Sequence, residues 1–322
     1  MIRALLLGAL LLQPLAEAQT TKVWRIAYLS GASAEIDQRR LEAFRDGLRE
    51  LGYAEGRNVV IVERYADGRP EKLPALAKEL VSLRSDVFVV YGAASAVPAV
   101  QQATRTAPIV FTVSADPVAE RIVSSLARPG GQVTGFSDLH SALVTKRLEL
   151  LKELLPSASR IAVLGSGAST VNRLQLKEIE AAAPAFGVSV LALAVRDADD
   201  IERAFRQIGE KQPAGLMVLG DFLLATHRKQ ILRLATAARL PTIFTTREAA
   251  EAGALMSHGT HFPELWRRSA HYVDKIFKGA KPGDLPIEQP TRFETVVNLN
   301  TARAIGVTLP RAILLRADQV IE

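Results

Sequence analysis

Residues 108–118 read PIVFTVSADPV and residues 129–137 read PGGQVTGFS, with ten residues between them. An apolar run, Ile109 to Phe111, ends in small hydroxylated residues, Thr112 and Ser114, and then in Asp116-Pro117. A β-branched and aromatic run bounded by a turn dipeptide describes a short buried strand. Its carboxyl end opens into a polar loop, and in open α/β sheets ligands bind at that edge. The loop carries hydroxyls and one carboxylate but no His, Cys or Lys. Such a set can hold a polar small molecule through hydrogen bonds and is poorly equipped to transform one.

The same alternation extends in both directions. Strand patterns at Trp24–Leu29, Asn58–Tyr65, Asp86–Tyr91 and Pro108–Thr112 are separated by helical patterns at Gln38–Leu51, Glu71–Leu83 and Ala96–Thr104. In the first helix Leu41, Phe44, Leu48 and Leu51 share one face, and Gly52 follows as a stop. Strands alternating with helices imply parallel βαβ units. The pattern restarts after residue 141, with helices at Leu143–Leu155, Val171–Phe186, Ile201–Ile208 and Lys229–Ala238. Strands are expected at Arg160–Leu164, Val188–Val195, Gly215–Leu219, Thr242–Phe244 and Gly253–Met256. Pro263–Lys278 reads as a helix, Lys281–Pro290 as a Pro-rich crossing, and Phe293–Leu299 as a strand. The expectation is an α/β chain of two similar lobes with parallel sheets. Residues 19–137, with part of 259–284, form lobe 1, and residues 138–258, with part of 285–322, form lobe 2. Thr134–Ser137 is expected to be the first hinge crossing, and a cleft between lobes is a favoured ligand site.

Residues 1–18 stand apart. Arg3 precedes an apolar core, Ala4 to Leu12, and Ala16-Glu17-Ala18 fits a small-x-small cleavage site. This is the pattern of a secretory signal peptide cut after Ala18, and its core is shorter than the roughly 20 apolar residues of a membrane span. The expected location of the mature chain is the periplasm, with no direct insertion into a membrane. The chain has 322 residues, 48% apolar, enough for about two domains with substantial cores. Its net charge of +6 comes from dispersed basic residues, which argues for a solvated surface and no nucleic-acid partner. There is no cysteine, which excludes disulfides, thiolate chemistry and lipid attachment at an N-terminal Cys.

Candidate chemistry is sparse. Gly165-Ser166-Gly167-Ala168-Ser169-Thr170 begins like a dinucleotide fingerprint, but Thr170 stands where the third glycine belongs, and a simple tight βα turn is the favoured reading. There is no P-loop and no G-x-S-x-G elbow. His258 and His261 lack a third metal ligand in sequence. Asp116, without a paired acid, reads as a counter-charge for a ligand amine or as a loop cap. No catalytic residue, metal or cofactor is expected. The strand ends share one composition instead: Ser30 to Ser33, Gly92-Ala93-Ala94-Ser95, Thr112 to Asp116, Gly165-Ser166, Gly220-Asp221-Phe222 and Ser257-His258-Gly259. Backbone N–H groups at a helix start beside a small hydroxyl suit a carboxylate.

Several stretches are similar to one family: YGAASAV at 91–97, PIVFTVSADPV, SLARPGGQVTGFS at 125–137, the long run from Leu255 to Pro310 and LLRADQVIE at 314–322. Together the D-P-V…P-G-G-x-V-T-G-x-S and K-P-x-D-L-P segments resemble the tryptophan/tyrosine-type periplasmic solute-binding proteins of ABC transporters, over essentially the whole mature chain. The resemblance implies a type I periplasmic-binding fold, two Rossmann-like lobes with a multi-crossing hinge, and an exported protein that carries a small polar organic solute, an amino acid or related carboxylate, to a membrane permease. Some relatives bind aromatic amino acids. It also implies a ligand site in which Ser95, Thr112 and Ser114 hold a carboxylate, Asp116 and Asp221 face an ammonium and Phe222 packs on the apolar part, with Ser30, Ser33, Ala94, Ser137, Ser166 and His258 completing the walls. Ser257-His258-Gly259 departs from the S-Y-G of relatives, which replaces an aromatic side chain by an imidazole. The competing readings are a sensor that hands its ligand to a receptor, and a dinucleotide-dependent enzyme using the Gly165 turn.

Overall fold

The computed structural model describes residues 22–138 and 140–322, so the expected leader, residues 1–18, lies outside the described residues. The first half contains β1 (Trp24–Ser30), α1 (Ala34–Glu50), β2 (Val59–Tyr65), α2 (Leu73–Ser82), β3 (Val87–Tyr91), α3 (Ala93–Ala103), β4 (Ile109–Ser114) and β5 (Val133–Ser137). The second begins with α4 (His140–Leu154), β6 (Arg160–Ser166), α5 (Thr170–Ala182), β7 (Ser189–Val195), α6 (Ala198–Lys211) and β8 (Leu216–Val218). It continues with α7 (Phe222–Thr226), α8 (Arg228–Ala237), β9 (Thr242–Phe244), α9 (Arg247–Glu251) and β10 (Met256–Thr260). The tail holds α10 (Phe262–Phe277), β11 (Phe293–Asn298), α11 (Leu299–Ile305), α12 (Arg311–Arg316) and β12 (Gln319–Ile321).

Two sheets result, ordered β2-β1-β3-β4-β5 and β12-β11-β10-β9-β8-β6-β7. All pairings in the first are parallel. In the second only β10 with β11 runs antiparallel, because the chain leaves the sheet after β10 and re-enters from the opposite end. The α/β architecture of parallel sheets expected from the sequence is therefore the one observed.

Helices cover both faces of each sheet, which is why the central strands read as continuous apolar runs. On the first sheet, α1 and α10 pack Leu41, Phe44, Leu48, Leu265 and Trp266 against Ile26, Tyr28 and Val89. Leu73, Leu80, Val97 and Val100 of α2 and α3 cover the other face. On the second sheet, α4 and α5 lie over Ile161, Val163 and Met217, and α6 and α8 over Leu164 and Val218. Caps set the helix starts: Ser33, Ser169 and Asp197 each accept a backbone N–H from the first turn.

Three local readings differ from the structure. Val133–Ser137 is an edge strand beside β4, with Phe136 bridged to Glu288, so Thr134 to Ser137 belong to the first sheet and the chain leaves it only after them. The strand expected at Gly253–Met256 starts at Met256, because Gly253 is held in a turn at φ 114°. Helix α3 starts at Ala93 instead of Ala96, because Gly92, at φ 89°, turns the chain directly from β3 into the helix. The chain passes between the sheets three times: between β5 and α4, between β10 and α10, and before β11. These passages are tied together, Thr260 Oγ1 donating to the Asp138 carbonyl at 3.0 Å and the His261 N–H to the Arg292 carbonyl at 3.2 Å.

Candidate functional site

The carboxyl edges of the two sheets meet. From the first come the turns after β1 and β3, and from the second the turns after β8 and β9. Phe222, the first residue of α7, crosses this junction. Its ring lies on bare backbone: a Cβ on Gly31 would sit 2.7 Å from Phe222 Cε2, and one on Gly92 would sit 2.5 Å from it. Tyr91 meets the same ring edge-on at 4.9 Å between centroids. Thr226, one turn later in α7, covers Gly68.

A buried polar cluster adjoins this slot. Tyr28 donates to Asp37 Oδ2 at 2.9 Å and receives the indole N–H of Trp266 at 3.0 Å. Arg40, 3% exposed, reaches Asp37 Oδ1 at 3.4 Å. Its guanidinium carbon lies 5.0 Å from the ring centres of Tyr91 and Phe262 and 5.4 Å from that of Trp266. On its open side Nη2 faces Glu248 of α9 at 3.6 Å. Burial raises the Asp37 carboxyl above its ordinary value, against the pull of Arg40. Burial would also raise Glu248, but the Arg40 charge, a hydrogen bond from its own backbone, the Arg228 charge and the Thr246 hydroxyl together outweigh it and hold that carboxylate low. Two further ion pairs join the same helix, α1, to the second lobe: Arg39 with Glu251 at 2.5 Å and Lys229 with Glu35 at 3.5 Å.

The residues singled out in the sequence divide into two groups. Phe222 lies in the slot, and beside it Asp221 caps α7 by accepting the Leu223 N–H at 2.8 Å, with Ser166 hydrogen-bonded to its carboxyl. Burial raises Asp221 above the usual carboxylate range. Ser95 is half-buried at the start of α3, its hydroxyl turned back to the Gly92 carbonyl at 3.3 Å, and Ala94 is exposed beside it. Ser33 caps α1, and Ser30 is buried, accepting the Ala32 N–H at 3.0 Å.

The others are engaged elsewhere. Thr112 is wholly buried and donates to the Val90 carbonyl at 3.2 Å within the sheet. Ser114 donates to Glu120 Oε2 at 2.8 Å. Ser137 donates to the Ala115 carbonyl at 3.5 Å. Asp116 is exposed, and its Oδ1 accepts the N–H groups of Val118 and Ala119 at 3.0 and 2.9 Å, which is the loop-cap geometry. His258 pairs its Nδ1 with Thr295 Oγ1 at 2.9 Å across the antiparallel β10–β11 ladder, while Arg147 of α4 donates to its carbonyl at 3.3 Å. Burial, with the Arg147 and Lys146 charges, pulls the imidazole down to about 4. In the Gly165 turn the Ser166 N–H is taken by Asn172 Oδ1 at 2.8 Å, so it does not point to a phosphate. Among the described residues no group of three or more His, Cys, Asp or Glu is placed to hold a metal.

Sequence reasoning missed Asp37, Arg40, Tyr91, Glu248, Phe262 and Trp266. One signal was present. Asp37 and Arg40 fall on the same helical stripe as Leu41, Phe44 and Leu48, and a charged pair on a buried stripe marks a partnered interior.

Comparison with known proteins places the chain in a family. Residues 28–321 match the family described as "ABC transporter substrate binding protein". A "Tyrosine-binding protein" of Clostridioides difficile is 26% identical over 266 residues, covering 83% of this chain and 76% of that protein. The crystal structure of a conserved domain protein from Vibrio cholerae superposes with a TM-score of 0.86 at 30% identity, covering 93% of this chain and 100% of the other. An ABC domain from Streptococcus pneumonia in complex with L-Trp superposes with a TM-score of 0.84 at 26% identity, with the same coverage of both chains. The two mostly parallel sheets are those of the type I periplasmic-binding architecture, and the chain belongs to the family of ABC transporter substrate-binding proteins.

Proposed function

We propose that this protein works outside the cytoplasm, captures an amino acid or a related carboxylate between its two lobes, and delivers it unchanged to a membrane permease. The observation that carries this reading is the slot at the junction of the sheets, where one aromatic ring rests on the bare backbone of Gly31 and Gly92 beside Tyr91. The slot is filled by the partly exposed ring of Phe222, so its walls already fit a planar apolar group, and a solute's side chain would take or share that place. Relatives named for tyrosine and solved with L-Trp make an aromatic amino acid the first solute to try. The leader pattern at residues 1–18 supports export, with cleavage after Ala18. No helix among the described residues is long and apolar enough to cross a membrane.

Capture follows from linkage. A solute that touches both lobes has higher affinity for the closed arrangement than for an open one, and it shifts the population by that difference alone. Closure about the three chain passages brings α7 and α9 of the second lobe onto α1 and the glycine turns of the first, forming the surface a permease can recognise. No bond is made or broken. Calorimetric titration of the mature protein with the twenty amino acids, followed by small-angle scattering, tests the reading. Binding of at least one amino acid with compaction is expected, and a panel that gives neither heat nor compaction overturns it.

A further inference from the structure

Arg40 is short of partners. A guanidinium has five N–H donors in a planar fork, and a buried cation needs them met. Here Nη1 makes one long bond to Asp37, Nη2 stands 3.6 Å from Glu248, and Nε is buried with no hydrogen-bond partner. The three rings of Tyr91, Phe262 and Trp266 fix the plane of the fork and keep water from it. Asp37, Tyr91, Phe262 and Trp266 all belong to the first lobe, whereas Glu248 belongs to the second. Parting the lobes would take Glu248 away and leave the fork among these first-lobe rings. Tyr91 touches both Arg40 and Phe222, so the fork lies one side chain from the slot.

We propose that Arg40 is the specificity-determining residue of the cleft, pairing through its fork with a carboxylate on the solute, and that Glu248 holds this position in the solute-free closed protein. The proposal rests on the solute-binding reading and names the group that reading left open. The hydroxyls of Thr112 and Ser114, which the resemblance assigned to the carboxylate, are already engaged with Val90 and Glu120.

The test compares acids with their neutral amides: L-tyrosine with L-tyrosinamide, and L-tryptophan with L-tryptophanamide, by calorimetry on the mature wild type, Arg40→Met, Arg40→Lys and Glu248→Gln. Wild type is expected to prefer each acid by roughly tenfold to a hundredfold, the range of a charge-assisted bond. Arg40→Met brings the ratio near one, Arg40→Lys retains part of it, and Glu248→Gln tightens the acids a few-fold by removing the competing carboxylate. The ratio within one variant does not depend on how much of it is folded, so a merely structural role for Arg40 leaves it unchanged. Arg40→Met with the wild-type ratio overturns the inference alone. A wild type that binds none of the four compounds overturns the aromatic amino-acid reading as well.

Discussion

Phe222 of the second lobe lies on the backbone of Gly92 in the first, so close that a Cβ on Gly92 would come within 2.5 Å of its ring. The contact exists only because residue 92 has no side chain, and Gly92 also needs its left-handed φ of 89° to turn β3 into α3. Gly92→Ala therefore collides with Phe222 and strains the backbone by about 1–2 kcal/mol. The expected result is a larger radius of gyration in small-angle scattering and weaker solute binding. Adding Phe222→Ala removes the collision but leaves the strain, so the double variant is expected to recover compaction in part. Equal expansion in both would show that Phe222 does not set closure.

The three ion pairs from α1 to the second lobe differ in burial. Lys229 with Glu35 and Arg39 with Glu251 involve exposed side chains, which salt screens. Arg40 with Glu248 is shielded. Raising sodium chloride from 0.05 to 0.5 M is expected to loosen closure slightly in the wild type, read as a small rise in radius of gyration. Glu248→Lys, which places a second cation against Arg40, is expected to open the protein at all salt concentrations. Large salt-driven opening of the wild type would contradict this ranking.

Asp37 joins Tyr28 and Arg40 beneath the slot. Asp37→Leu leaves a buried cation facing no carboxylate of its own lobe, and removing one partner of a buried pair costs about 3–5 kcal/mol. Urea unfolding with an unchanged m-value is expected to report a loss of that size. Tyr28→Phe removes the donor to Asp37 and leaves the buried Trp266 N–H without its acceptor, and is expected to cost about 1–3 kcal/mol.

His258 makes stability depend on pH. Its folded value is lowered from 6.5 to about 4 by burial first, then by Arg147 and Lys146, with Asp318 and Glu149 opposing. The unfolded chain therefore takes up a proton at higher pH than the folded one, so stability falls as the pH drops from 6.5 towards 4 and this group adds no further loss below that. His258→Gln has no proton to take up and is expected to flatten this limb in denaturation midpoints measured across the range. An unchanged limb would assign it to other groups.

Asp116 separates two roles that the sequence leaves open. If its oxygens only cap the N–H groups of Val118 and Ala119, Asn serves as well, because Asn and Asp are comparable caps. Asp116→Asn is expected to keep full solute affinity, and Asp116→Ala to loosen the loop by about 1 kcal/mol. Lost affinity in the Asn variant would restore the counter-charge role.

Most strands and helices were legible in the sequence because their signals are local. Alternating short apolar runs, helical stripes such as Leu41, Phe44 and Leu48, and caps such as Ser33 depend on neighbours within a turn or two. Val133–Ser137 was harder, because two glycines precede it and Gly135 interrupts it, and it is a strand only through pairing with β4.

The PIVFTVSADPV stretch determined by itself that a buried strand opens at its carboxyl end into a polar loop. It could not determine which polar groups remain available to a solute. Thr112, Ser114 and Asp116 look alike in sequence, yet each is engaged by a partner in its own lobe, Val90, Glu120 and the turn at Val118. Only the tertiary structure brings Arg40, Tyr91 and Trp266 to Glu248 and Phe222, residues separated by as much as 226 positions. A hydrogen-bonding group can be named from composition, but whether it is free depends on what folding places within about 3 Å of it.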